Sequence, residues 1–191
     1  MILFLSIGIA NDDWHKNAIW YQIFPDRFYN GDLSNDPTIE SLDGTWPYER
    51  QEQWQISPWT SDWYELQPWE KINGKDFYYN AQLRRYGGDL KGIIDKLDYL
   101  EDLGINAIYL NPIFESPSAH KYGAQFYHHI DNNFGPNPRK DELIWSKEKP
   151  SNSHTWQWTT ADKLFLKLIE EAHYRGIKII IDGVFNHSGI P

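Results

Sequence analysis

The chain has 191 residues, which is enough for one domain with a hydrophobic core or for part of a larger domain. A formal net charge of −9 argues against nucleic-acid binding, and the lack of cysteine excludes disulfides and thiolate metal sites. Ten tryptophans and twelve tyrosines favour a carbohydrate ligand, because aromatic faces stack on sugars, although such side chains also fill hydrophobic cores.

An apolar run, Ile2–Ala10, opens the chain. It is too short to span a bilayer and has no charged residues before it, so we expect no membrane span here. Gly8-Ile9-Ala10 has the small-x-small pattern of a cleavage site. We interpret residues 1–17 as a leader or the remnant of a preceding segment, which favours a secreted or periplasmic location over a cytoplasmic one.

The first predicted strand is Ala18–Phe24, and Pro25 ends it. The segment that follows, Asn30–Pro37, is dense in side-chain oxygens. Such residues are typical of Asx turns. The same oxygens also suit a hard cation such as calcium, so both interpretations stay open on composition alone.

Residues 37–86 show no clear periodicity and contain five tryptophans separated by prolines. A loop of this length is usually functional or forms a small subdomain. We expect most of these tryptophans to pack against each other. One or two could then form an exposed platform for a sugar.

Helical spacing begins after Asp89, and Gly104 stands where a helix C-cap belongs. The apolar positions of this predicted helix are Leu90, Ile93, Ile94, Leu97, Leu100 and Leu103. Ile105–Leu110 then reads as a second buried strand, ended by Asn111 and Pro112. A helix, a glycine and a strand in this order form a recurrent step of parallel α/β folds.

A polar region from about residue 111 to 160 is predicted to be a loop, and a second amphipathic helix follows it and ends at Gly176. The third predicted strand, Ile177–Ile181, is apolar on both faces, which predicts burial between two layers. It ends in Asp182, with Asn186 and His187 shortly after. Parallel α/β folds build their sites from polar groups at the carboxyl ends of strands.

The predicted topology is therefore strand, long excursion, helix, strand, long loop, helix, strand. Right-handed parallel crossovers follow from this order. A barrel and a doubly wound sheet both fit the pattern. No Gly-x-Gly-x-x-Gly follows any strand, which weakens the dinucleotide-binding version.

Four separated stretches together resemble the α-amylase family, glycoside hydrolase family 13, and its cyclomaltodextrinase and neopullulanase branch most closely. They are 18–28 with Asn30-Gly31-Asp32; 86–94; 104–112 with His120-Lys121-Tyr122 and Phe134-Gly135; and 182–187. The resemblance implies a fold of the α/β class, a (β/α)8 TIM barrel. Residues 18–191 would be the amino-terminal portion of this catalytic barrel, about its first three βα units. Residues 37–86 would be an excursion after the first strand, and the strand ends would face an α-glucan cleft.

The resemblance also implies roles for individual residues. Asp182 matches an aspartate that supports the catalytic centre, and His187 matches a histidine that hydrogen-bonds the sugar just before the scissile bond. Tyr122 matches the tyrosine that stacks on this sugar, and His120 matches a histidine two places earlier. Asn186 matches a residue that ligates calcium in some members and is structural in this branch.

A calcium site is implied in the loop after the first strand. Its ligands would be the Gly87 carbonyl and the side chains of Asn30, Asp32, Asn35, Asp36 and Asp89. This match favours metal binding over a simple turn. The family pattern also carries two aspartates where this chain has Gly123 and Phe126, so the hydrogen bonds around the sugar are expected to differ.

The implied activity is hydrolysis of α-glycosidic bonds with retention, on starch oligosaccharides, cyclodextrins or pullulan. The family places its nucleophile, acid/base and third carboxylate after strands four, five and seven. This chain stops after the third predicted strand, so we expect the polypeptide alone to be inactive. Transglycosylation and non-catalytic glucan binding are the alternatives. Members of the branch often dimerise through an amino-terminal domain, which implies a homodimer for the full-length protein.

Overall fold

The computed structural model describes residues 13–187 and 189. Most of the predicted leader therefore lies outside the described residues. Residues Asp13–Asn17 form a 3-10 helix, and the ring of Trp14 packs against that of Trp20 at 5.6 Å. Among the described helices, none is both long and apolar enough to cross a membrane.

A three-stranded parallel sheet forms the centre of the structure. Its strands are β1 (Trp20–Ile23), β2 (Ala107–Leu110) and β3 (Lys178–Ile181), in the order β1-β2-β3. The register sets Trp20 opposite Ala107 and Ala107 opposite Lys178, so the three carboxyl ends lie level at one edge. This confirms the three predicted parallel strands, each one to three residues shorter than the sequence pattern indicates.

A layer of helices packs against this sheet. The helix predicted after Asp89 is two helices, α3 (Leu90–Asp95) and α4 (Leu97–Asp102), numbered after the short α1 (Pro68–Ile72) and α2 (Phe77–Ala81). At Lys96, with φ −103° and ψ 3°, the amide donates to the Ile93 carbonyl in a tightened turn that interrupts the helix. The apolar spacing continues across this break, which is why the sequence reads as one helix.

The predicted loop from 111 to 160 was wrong in one part, because it contains α5 (Pro138–Trp145). The side chain of Asn137 accepts a hydrogen bond from the Lys140 amide and caps this helix, and Pro138 occupies its first turn. These are ordinary start signals, but the mostly polar helix lacks a strong apolar stripe. The second predicted amphipathic helix is confirmed as α6 (Thr160–Tyr174).

The hydrophobic core lies between the sheet and the helices α3, α4 and α6. Its fully buried members include Ile23, Leu90, Ile93, Leu97, Leu100, Ile108, Leu110, Leu168, Ala172 and Ile177. β3 departs from the predicted burial on both faces, since its residues are only partly buried and Ile181 is 39% exposed. The reason is that β3 pairs only with β2 among the described residues.

A second, smaller cluster holds residues 37–86 together. Trp54, Trp69 and Leu83 are buried there, and the indole N–H of Trp54 donates to the Leu83 carbonyl at 2.8 Å. Arg84 and Glu70 form a fully buried ion pair at 2.6 Å. This cluster turns the tryptophan-rich segment into a compact unit with its own interior.

Hydrogen bonds to buried Asp26 link the end of the tryptophan-rich segment to the end of β1. The Asp26 carboxylate accepts hydrogen bonds from the amides of Tyr86 at 3.1 Å and Gly87 at 3.2 Å. A Cβ at Gly88 would lie 2.0 Å from the Pro25 carbonyl oxygen, so the two backbones can approach only because this residue is glycine. The close contact brings the start of α3 next to the loop that follows β1.

Candidate functional site

The carboxyl ends of the three strands present polar side chains at one edge of the sheet. The Gln22 amide donates to Asn111 Oδ1 at 2.7 Å, which links the ends of β1 and β2. The backbone amide of Asp182 donates to the Leu110 carbonyl at 3.0 Å, which links β2 to the end of β3. Asp182 therefore occupies a position that the sheet itself determines.

Three of the four predicted sugar-binding residues are joined by hydrogen bonds at this edge. The Tyr122 hydroxyl donates to Asp182 Oδ2 at 2.8 Å, and His187 Nε2 lies 3.1 Å from the Tyr122 carbonyl oxygen. The hydrogen bond to Asp182, together with partial burial, raises the pKa of Tyr122 to about 12. Tyr122 therefore stays neutral and orients the Asp182 carboxylate, while the residue remains 36% exposed.

His120, the fourth predicted residue, lies beside Tyr122. Its Nδ1 is 3.1 Å from the Tyr122 amide nitrogen, and the two rings are 5.7 Å apart between centroids. Burial and the nearby cations, chiefly Arg85 and Lys121, lower the pKa of His120. A neutral imidazole that accepts at Nδ1 can donate from Nε2 to a ligand hydroxyl.

The cleft above these residues contains aromatic side chains that the sequence analysis did not single out. Trp46 and Tyr48 line it together with His120, Tyr122 and His187. Trp46 is 54% exposed and also lines the adjoining cleft beside Trp63. Trp46 differs from the buried Trp54 and Trp69 in its exposure to solvent. The sequence of this segment does not indicate which tryptophan is exposed.

The two departures from the family pattern have different surroundings. Gly123 has open space around it, since a Cβ there would meet no atom closer than 3.8 Å. Phe126 instead packs against Trp145, with 5.3 Å between the ring centroids. Lys121, which directly precedes Tyr122, is buried and pairs with Asp131 at 2.6 Å. This ion pair anchors the loop that presents Tyr122.

Tyr127 ties the same loop to the segment after β3. Its hydroxyl lies 2.8 Å from the Val184 carbonyl and 3.0 Å from the His187 carbonyl. Asn186 contacts the His187 ring at 3.4 Å and lies in this segment too. The position of His187 therefore depends on Tyr127 as well as on the end of β3.

The residues predicted to bind calcium also lie close together, although Asp32 contacts Asp89 through its backbone amide and its own carboxylate accepts from the Ser34 amide. Asp89 is buried and accepts from the Asp32 amide at 3.0 Å and from Asn35 Nδ2 at 3.1 Å. Asp36 Oδ1 accepts from Asn30 Nδ2 at 2.5 Å. Burial raises the pKa of both Asp36 and Asp89.

Two oxygens in this group test whether a cation fits. Within the described part of the chain, the buried side-chain oxygens of Asn30 and Asn35 have no hydrogen-bond donor. Gly87 has φ +73°, and a Cβ there would lie 2.4 Å from Asp36 Oδ1. Unpartnered amide oxygens beside the buried Asp89 and the partly buried Asp36 form a donor set that a hard cation prefers, so the residues fit calcium.

Comparison with known proteins places these observations in context. The sequence profile described as "Alpha amylase, catalytic domain" matches residues 22–150. An amylopullulanase of Thermoanaerobacterium saccharolyticum is 44% identical over 180 residues, which cover 93% of this chain and 11% of that protein. A neopullulanase 2 of Thermoactinomyces vulgaris is 41% identical over 180 residues, covering 93% of this chain and 21% of that protein.

A solved structure agrees with the sequence relatives. The type III pullulan hydrolase from Thermococcus kodakarensis superposes with a TM-score of 0.62 at 34% identity, covering 91% of this chain and 24% of that one. The chain thus spans between a tenth and a quarter of the length of these relatives.

Proposed function

The chain belongs to the α-amylase family, and from this premise we propose that it supplies part of the α-glucan-binding cleft of a retaining glycoside hydrolase. The three parallel strands in chain order, with helices packed on them, support the view that residues 18–191 are the amino-terminal portion of a (β/α)8 barrel. The names of the relatives, amylopullulanase and neopullulanase 2, support starch-like or pullulan-like substrates.

One observation carries the proposal, namely the hydrogen bond of 2.8 Å between Tyr122 and Asp182. It joins the loop after β2 to the end of β3 and leaves the Tyr122 ring facing a cleft with Trp46 and His187. The aromatic ring takes the apolar face of a sugar, and carboxylate and imidazole take its hydroxyls. His120, being neutral, adds a further donor.

In the full-length protein, this half of the cleft would hold the sugar unit next to the scissile bond. Positioning of this kind raises the rate, because a bound sugar already has the geometry that the catalytic carboxylates require. The nucleophile and the acid/base would come from later strands, after the family's order. Asp182, oriented by Tyr122, would hydrogen-bond the sugar and take no direct part in bond breaking.

We also propose that Asn30, Asp32, Asn35, Asp36 and Asp89, with the Gly87 carbonyl, hold a structural calcium ion. The unpartnered oxygens of Asn30 and Asn35 support this. When bound, calcium would supply positive charge to a crowded group of carboxylates. Its contribution would be to stability and to the placement of the β1 loop.

The test of the glucan-binding cleft uses the full-length protein and maltoheptaose. We expect Tyr122→Ala and Asp182→Asn to lower kcat/KM by about 100-fold, because each removes an interaction that positions the reacting sugar. Tyr174→Ala is the matched control, since Tyr174 is 87% exposed at the end of α6. An unchanged kcat/KM in the Tyr122 variant would contradict the proposal.

A further inference from the structure

Outside the glucan cleft, the structure brings together a second set of side chains that can bind a ligand. His128 and His129 lie in the loop after β2, Glu148 follows α5, and Asp162 lies in the first turn of α6. Nothing in the proposed substrate cleft or calcium site uses these four residues. The set therefore needs its own explanation.

The ligand atoms of three of them converge on one point. His129 Nε2 lies 2.7 Å from Glu148 Oε2, and His128 Nε2 lies 3.5 Å from the same oxygen. One ligand atom from each residue lies within 4.8 Å of the other two. The side chains of His129 and Glu148 are 2% and 1% exposed, and that of His128 is 10% exposed.

Hydrogen bonds to neighbouring groups fix the orientation of both His129 and Glu148. His129 Nδ1 lies 2.8 Å from Asp162 Oδ2, while Asp162 Oδ1 accepts from the Ile130 amide at 2.9 Å. Metal-binding histidines characteristically place their second nitrogen on such a carboxylate. The other oxygen of Glu148 accepts from the Gln157 amide at 2.6 Å, which directs Oε2 towards the two histidines.

We propose that His128, His129 and Glu148 bind a divalent transition-metal ion of the zinc type, with Asp162 as the positioning carboxylate. Two imidazole nitrogens and one carboxylate oxygen suit zinc, whereas calcium prefers oxygen ligands alone. The cluster opens into a cleft lined by Trp156, Gln157 and Trp158, which leaves space for water as a fourth ligand.

The two distances from Glu148 Oε2 to the histidine nitrogens are compatible with this metal. Zinc bonds of about 2.0–2.1 Å at tetrahedral angles separate two ligand atoms by roughly 3.3 Å. The 3.5 Å between His128 Nε2 and Glu148 Oε2 is close to that separation. The 2.7 Å between His129 Nε2 and Glu148 Oε2 would have to open by about 0.6 Å, which is a small rotation of a carboxylate.

Bound metal would join three segments that are distant in sequence. The histidines belong to the loop that also presents Tyr122, Glu148 belongs to the segment after α5, and Asp162 belongs to α6. The site would therefore be structural, since it fixes the base of the loop without reaching the cleft. The alternative explanation is that His129 is simply hydrogen-bonded between the carboxylates of Glu148 and Asp162. That explanation gives no role to the ligand nitrogen of His128.

The experiment measures zinc binding to the tag-free protein after treatment with a chelator. Calcium is added in excess, so that any site built from oxygen ligands is already filled. Isothermal titration and thermal unfolding are followed with zinc alone as the probe. We expect one zinc ion per chain, and a rise in Tm of about 5 °C when zinc is well above its dissociation constant.

His128→Gln and Glu148→Gln are the decisive variants. Each should weaken zinc binding by at least about 10- to 100-fold and remove the zinc-dependent rise in Tm. His154→Gln is the matched control, because His154 is an exposed histidine in the same part of the chain. Zinc binding that is absent from the wild type, or unchanged in His128→Gln, would overturn the proposal. His128 is at the rim of the cleft, so this variant is expected to fold, and its Tm without zinc checks that.

Discussion

Glu115 is a largely buried carboxyl group that the proposed cleft does not use. It follows β2, and its Oε2 accepts a hydrogen bond from the Asn132 amide at 3.1 Å. Burial, and then the neighbouring Asp131 carboxylate, raise the pKa of Glu115 to about 8. Asp131 itself pairs with Lys121, so the Glu115 carboxyl lies next to the anchor of the Tyr122 loop.

This raised pKa predicts a pH dependence of stability. Between the ordinary value of 4.5 and about 8, the folded chain keeps a proton on Glu115 that the unfolded chain has released. The free energy of unfolding therefore decreases as pH rises through this range, by at most about 1.4 kcal/mol per pH unit for one proton. Denaturant unfolding at pH 5.5, 7 and 8.5 measures the slope. Glu115→Gln, which keeps an acceptor for the Asn132 amide, should flatten it.

Glu52→Gln is the control for that measurement, because the Glu52 side chain is 82% exposed. Its pH profile should match that of the wild type. Parallel profiles for the wild type and Glu115→Gln would show that Glu115 is ionised in the folded protein and that the prediction is wrong.

Three segments of the chain meet at the proposed calcium site. The site therefore affects how whole structural elements are held together. Asp89 caps α3 by accepting from the Gly92 amide at 2.6 Å, and it also accepts from the Gly31 amide at 3.2 Å. The end of the tryptophan-rich segment enters through Gly87. The ion would therefore fasten the β1 loop, that segment and α3 to one another.

Removal of calcium should loosen this junction. We expect a calcium chelator to lower Tm by about 5 °C, because a ligand at 100 times its dissociation constant adds roughly 2.7 kcal/mol of stability. Asp36→Asn, which removes one charge and keeps a side chain of the same shape, should weaken calcium binding more than tenfold. Differential scanning calorimetry and calcium titration measure the two effects.

Asp43→Asn supplies the comparison for the calcium experiment, because Asp43 is an exposed aspartate of the same segment. It should bind calcium as the wild type does. The proposal fails if the chelator leaves Tm unchanged and Asp36→Asn retains full affinity.

At the scale of the whole molecule, the sheet has two edges without a partner strand among the described residues. β1 and β3 each pair only with β2, and Phe185, just beyond β3, is 95% exposed. Further βα units of a barrel would cover such edges. This agrees with the small share of the relatives' length that the chain spans.

The polypeptide of 191 residues alone should therefore show no glycosidase activity. By the family's order, the nucleophile and the acid/base belong to later strands, and a sugar subsite without them has no group to break the bond. The measurement is release of reducing sugar from maltoheptaose, with the full-length protein as the positive control. Measurable turnover by the polypeptide alone would contradict this expectation.

Local patterns in the sequence determined the strands, α6 and the family. The apolar run before Asp182 determines β3, and the helical spacing determines α6 with Gly176 at its end, where φ is +70°. These features depend on residues close together in the chain, and propensity and periodicity act over that range. The resemblance of the four stretches to the α-amylase family is confirmed by the profile match.

Only the tertiary structure decided which distant residues meet. Tyr122 and Asp182 are 60 residues apart, and no local pattern predicts their hydrogen bond. Chain packing likewise determines that Trp54 is buried whereas Trp46 is exposed. It also brings together His128, His129 and Glu148. The physical reason is that burial and long-range contact depend on how separate elements pack together, whereas the sequence pattern records only which face of each element is apolar.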